Sequence, residues 1–158
     1  MKTFQKLSFL IALAGLISFS SCSKDDDKDP AKSDAEIIGS GIAWKFSTVT
    51  ANGISVVSVI DACHLDNLVT FNYETPFNIG VVDAGATKCD SSAPQTTDFT
   101  WTYDETTKIL SVDNAIIEVP GTTGDLNVVS VTPTKLVLSQ NVSLPGFGTQ
   151  EVLLTLVH

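Results

Sequence analysis

From Ile37 onward the chain alternates apolar and polar residues in short runs, with Gly, Asn, Asp and Pro between them. Successive side chains of a strand point to opposite faces, so this alternation predicts half-buried β-strands. Trp44-Lys45-Phe46-Ser47-Thr48-Val49 opens the series, with Trp44 and Phe46 on one face. Asn52-Gly53 predicts a two-residue hairpin turn, because both residues tolerate positive φ, and it leads into a strand over Ile54–Ile60. Asp61–Asn67 is a connection. Leu68–Tyr73 sets Leu68, Thr70 and Asn72 against Val69, Phe71 and Tyr73, with Phe77–Val82 as its partner. Asp83–Thr97 is the least regular part. Asp98–Asp104 places Phe99, Trp101 and Tyr103 on one face, and aromatics at period two predict core in preference to a ligand stack. Lys108–Val112 returns after a polar turn, and Asn114–Val119 follows. Leu126–Thr132 and Thr134–Val142 form a hairpin around Pro133, and Gln150–Val157 is the last strand. No window keeps apolar residues at helical spacing beyond two turns. About nine or ten short strands predict an all-β antiparallel barrel or sandwich, and sequential hairpins favour an up-and-down meander.

The chain before Ile37 is different. Lys2 and Lys6 precede an uncharged run, Leu7–Phe19, followed by Ser20 and Ser21. This is the pattern of a secretory signal peptide. The run is short of the roughly 20 residues a transmembrane helix needs. Ser18-Phe19-Ser20-Ser21-Cys22 resembles the lipobox of bacterial lipoproteins, with Phe19 where Leu is commonest. The resemblance implies cleavage before Cys22 and a lipid anchor on it. The other reading is ordinary signal cleavage near Ser20, with Cys22 a bystander. Ser23–Asp34 is rich in Lys and Asp and holds Pro30, so it cannot bury enough surface to offset its chain entropy and reads as a disordered leash. Ser23-Lys24-Asp25-Asp26-Asp27 resembles the acidic export signal that some Gram-negative bacteria place after the lipidated Cys. That implies an outer-membrane protein displayed at the cell surface, with the periplasmic face as the alternative. The domain plan is a signal peptide over 1–21, an acidic tether over 22–36 and a barrel domain over 37–158.

Charge narrows the partners. The chain has a formal net charge of −9 and no Arg. Both Lys2 and Lys6 leave with the signal peptide, so the mature chain is more acidic still. Nucleic acid and anionic lipid surfaces both demand clustered cations, so neither is an expected partner. Of the three cysteines, acylation of Cys22 leaves Cys63 and Cys89, and an exported protein meets oxidising conditions that favour a disulfide between them. Two free thiols, or half of a metal site, are the competing readings.

Within the domain, Trp44, then Cys63-x-x-Asp66-x-Leu68-x-x-Phe71, then Cys89, Trp101-Thr102-Tyr103-Asp104, Lys108-Ile109-Leu110 and Thr134-Lys135-Leu136-Val137-Leu138 resemble the lipocalin-like domain of bacterial lipoproteins. Gly41-x-x-Trp44 replaces the family's Gly-x-Trp, and Glu74-Thr75-Pro76 replaces its aspartate-glycine turn. The resemblance implies a lipocalin-like β-barrel of eight or more strands without catalytic residues. The sequence carries no P-loop, dinucleotide fingerprint, zinc spacing or nucleophile elbow. Asp61, His64 and Asp66 lie close in sequence, yet no matching ligands follow, so no metal site and no cofactor are expected. The expected function is non-enzymatic: a lipid-anchored binding module for a small apolar or amphipathic ligand, at residues the sequence does not name. The alternative is a filled barrel that serves as a structural or interaction subunit, with an envelope protein as partner.

Overall fold

The structure is a computed structural model that describes residues 31–74, 78–117, 122–144 and 148–158. The expected signal peptide, Cys22, most of the leash, Phe77, Val119 and the Pro145–Phe147 turn lie outside the described residues. The strands are β1 (Trp44–Ala51), β2 (Ile54–Ser55), β3 (Leu68–Asn72), β4 (Asn78–Asp83), β5 (Thr96–Asp104), β6 (Ile109–Val112), β7 (Gly124–Thr132), β8 (Lys135–Leu144) and β9 (Gly148–Val157). From β3 to β9, successive strands pair antiparallel. β1 then pairs with β9 through Lys45↔Val157 to Ala51↔Val152, and with β3 through Trp44↔Val69 and Lys45↔Leu68. The result is the lipocalin-like all-β fold: a closed up-and-down barrel of eight strands, with β2 as an extra strand beside β1.

Alternation decides what faces inward. Val69 and Phe71 of β3, Phe99 and Trp101 of β5, Leu110 and Val112 of β6, and Val152, Leu154 and Leu156 of β9 are buried. Their outward neighbours are mostly polar, as a single closed sheet with a packed interior requires. Phe71 meets Phe99 and Trp101 edge to face, with centroids 5.3 and 5.5 Å apart. The turn at Asn52-Gly53 has φ of 48° and 78°, the left-handed pair that suits a tight hairpin. Gly80 of β4 faces Phe99, and a methyl group there would run into the Phe99 ring. Gly80→Ala is expected to lower unfolding free energy by about 1–3 kcal/mol through overpacking, as read from urea unfolding; an unchanged midpoint would mean that the ring has room to move.

Three segments differ from the sequence reading. Only Ile54 and Ser55 of the expected Ile54–Ile60 strand pair with β1; the chain then forms a 3-10 turn over Val57–Val59. The Val56 amide still donates to the Val49 carbonyl of β1 at 3.0 Å, and there the chain turns away from β1. The turn instead brings Val56 and Ile60, four residues apart, onto the core. The Asn114–Val119 stretch is no strand as far as Ile117. Ile116 and Ile117 are both buried, although neighbours in a strand would face opposite ways, and the Ile116 amide donates to the Thr122 carbonyl at 3.0 Å. Finally, the compact unit begins at Ala31, and Asp34–Ile38 is a helix, α1, where the leash was expected to run on. Ser33 and Glu36 form a reciprocal capping box, the pairing that satisfies two otherwise open helix N–H groups.

α1 closes one end of the barrel. Ile38 is fully buried, and its carbonyl accepts the Trp44 indole N–H at 3.2 Å. Asp34 accepts both the Tyr103 hydroxyl, at 3.1 Å, and Lys108 Nζ, at 2.8 Å, from the β5–β6 turn. Tyr103 is pushed up to about 12, first by burial and then by its bond to the Asp34 carboxylate, so it stays a donor well into the alkaline range. The turn itself is built by Asp104, which accepts from the Thr106 and Thr107 amides at 2.7 and 3.0 Å. Asp113 does the same for Thr100, through its amide and its hydroxyl, both at 2.7 Å.

These hydrogen bonds hold the Asp104 and Asp113 carboxyls below their ordinary values. A depressed folded value means stability that is present above the unfolded pKa and lost as pH falls through the folded one. Melting temperature is therefore expected to hold from neutrality to about pH 4 and then fall. Asp113→Asn is expected to make that acid slope shallower; an identical slope would remove Asp113 from the account.

Candidate functional site

The opposite end of the barrel carries the chemistry. Here Asp61 leads into a short helix, α2 (Ala62–Leu65), which presents Cys63 and His64 side by side. Facing it is the irregular 84–95 loop. The sequence gives this loop few apolar residues, and carboxylates shape it instead. Asp66 Oδ2 accepts the Ala86 and Thr87 amides, each at 3.0 Å. Asp83 Oδ1 accepts the Gly85 amide at 2.9 Å and the Gln95 side-chain amide at 2.7 Å. Lys88 Nζ donates to the Ser91 and Ala93 carbonyls at 3.0 and 2.7 Å. Asp90 turns to the Ser92 hydroxyl and amide, which hold its carboxyl below the usual value.

The loop carries Cys89, and Cys89 is joined to Cys63 in a disulfide with Cα atoms 5.2 Å apart. The expected pairing is therefore present. Asn67 stands behind it; in the orientation that satisfies its amide, it donates to the Cys63 and Ala84 carbonyls at 3.0 and 3.2 Å. Between loop, helix and the buried Ile117 lies a cleft of about 140 Å³, lined by both cysteines, His64, Asn67, Lys88 and Gln95 among others. His64 Nδ1 sits 3.3 Å from Cys89 Sγ.

Sequence proximity of Asp61, His64 and Asp66 does not become a shared site. Asp66 is turned to the loop amides, and His64 is turned to sulfur. The group that does come together, with ligand atoms within 4.8 Å of one another, is Cys63, His64 and Cys89. The sequence reading kept Cys63 and Cys89 as half of a metal site among its alternatives but did not place His64 with them, because Cys89 lies 25 residues from His64 and the fold brings them together. Among the described residues, the barrel interior is packed by one hydrophobic core. Trp44, Phe71 and Trp101 are all essentially inaccessible to solvent there. Trp44 also stacks on His158, with ring centroids 3.6 Å apart. No family model matches the chain, and no curated protein or solved structure matches it.

Proposed function

We propose that this chain is a lipid-anchored protein of the bacterial outer membrane, held by Cys22, whose barrel works through its outer surface as a non-enzymatic interaction subunit. The observation that carries the surface reading is the filled interior, where Trp44, Phe71 and Trp101 occupy the space a carrier would leave for its ligand. The segment that runs from β2 to α2 adds to it, since Ile54 in β2 and Val59 beyond it are 73% and 81% exposed. The anchor and the cell-surface address rest on the lipobox-like and acidic stretches around Cys22.

A small apolar or amphipathic ligand is the second reading, and the cleft beside the disulfide favours it. Its volume of about 140 Å³ falls well below the roughly 300 Å³ at which drug-sized pockets begin, so only a small occupant suits it. Native mass spectrometry of the protein extracted from its own membranes in mild detergent separates the two. A co-purified protein is the expected result, and a stoichiometric small molecule without protein would overturn the proposal. Intact mass tests the anchor: a chain starting at Cys22 with added acyl mass is expected, and the same chain without that mass sinks the lipid assignment.

A further inference from the structure

We infer that Cys63, His64 and Cys89 form a redox-gated binding site for a thiophilic divalent cation, Zn²⁺ being the natural occupant by chemistry. The inference stands on geometry and is independent of the function proposed above. Two sulfurs and an imidazole nitrogen lie within 4.8 Å of one another at the edge of an open cleft. Tetrahedral zinc, with Zn–S near 2.3 Å and Zn–N near 2.0–2.1 Å, requires ligand atoms roughly 3.3–3.8 Å apart. The pair His64 Nδ1 and Cys89 Sγ, at 3.3 Å, is within about 0.3 Å of the roughly 3.5–3.6 Å an N···S pair takes on tetrahedral zinc. With Cα atoms 5.2 Å apart, the two sulfurs can separate to the needed distance by side-chain rotation.

In the oxidised protein the sulfurs are bonded to each other and offer no thiolate, so the site is closed. A dithiol opens it. Its two sulfurs become a cyclic disulfide, and the electron pair and two protons pass to Cys63 and Cys89. Metal binding then releases those two protons, since thiolate and not thiol is the ligand. Three protein ligands leave a fourth position, which faces the cleft and takes water. Nearby charges do not compete for it: Lys88 is held by the Ser91 and Ala93 carbonyls, and the Asp90 carboxylate by Ser92.

The test uses the full chain carrying Cys22→Ser, so that only Cys63 and Cys89 supply thiols. It is compared oxidised and after reduction by a phosphine, which becomes the phosphine oxide as water gives its oxygen and the two protons. Co²⁺ reports thiolate ligation through its charge-transfer absorption, and Zn²⁺ displaces it. The reduced chain is expected to bind one ion and the oxidised chain none, with Zn²⁺ raising the melting temperature of the reduced form. His64→Gln is expected to weaken binding by at least about tenfold, because even outer-shell losses cost about 10–100-fold. His158→Gln is expected to leave binding unchanged. Equal affinity in the reduced parent and its His64→Gln variant would overturn the inference. So would Zn²⁺ binding that leaves the melting temperature where it was, since that would be capture by thiols of an unfolded chain.

Discussion

Trp44→Ala is expected to destabilise the domain by about 3–5 kcal/mol, the usual loss when a buried aromatic is cut to alanine. Domains of this size have net stabilities of about 5–15 kcal/mol, so the variant should melt about 10–20 °C lower. The size of the effect follows from three simultaneous losses. The fully buried indole leaves a cavity, the Ile38 carbonyl at the end of α1 loses its donor, and the stacked His158 ring loses its partner. Trp44→Phe separates these contributions. It keeps one aromatic ring but removes the N–H and the second ring of the indole, so it should recover only part of the loss. Thermal unfolding followed by circular dichroism checks both variants. A Trp44→Ala protein that melts within a few degrees of the parent would show that α1 closes the barrel without this residue.

Removing the cross-link is expected to have the second largest effect. The double replacement Cys63→Ala/Cys89→Ala should lower stability by about 2–5 kcal/mol, because the denatured chain regains the freedom of the closed loop. The sequence separation of 26 makes that loop long enough for an entropic contribution of about 3–4 kcal/mol, a model-dependent figure. The structure adds a local consequence. Hydrogen bonds from Asp66, Asp83, Lys88 and Asn67 also hold the 84–95 loop, and those of Asp66 and Lys88 are mostly solvent-exposed. Hydrogen exchange in the double variant should therefore rise first in the loop and in α2, while β7, β8 and β9 keep their protection. Uniform exchange across the sheet would instead mean that the bridge supports the whole barrel.

Much of this barrel could be read from alternation. β3 and β5 were legible because Val69, Phe71, Phe99 and Trp101 follow period two without interruption. Asn52-Gly53 was legible because few residues other than these accept its backbone angles. The disulfide was legible from cysteine count together with the expectation of an exported chain. Ile54–Ile60 was misread because β-branched residues favour a strand, whereas the chain turns away from β1 at Val56 and packs Val56 and Ile60 on the core, a tertiary choice that local pattern does not carry. α1 was missed although Ser33-x-x-Glu36 announces its start, because a five-residue helix is too short to show a periodic face. The candidate site was legible only in part. The cysteines could be paired, but the placing of His64 against Cys89 depends on the fold of a loop that has no regular pattern to read.

The seam between β1 and β9 has a kinetic consequence. Lys45 pairs with Val157 and Ala51 with Val152, contacts that span nearly the whole length of the domain. Loop-closure entropy is spent before such contacts reward it, so folds that depend on them form slowly. The barrel cannot close until β9 has formed, although β1 can pair earlier with β2 and β3.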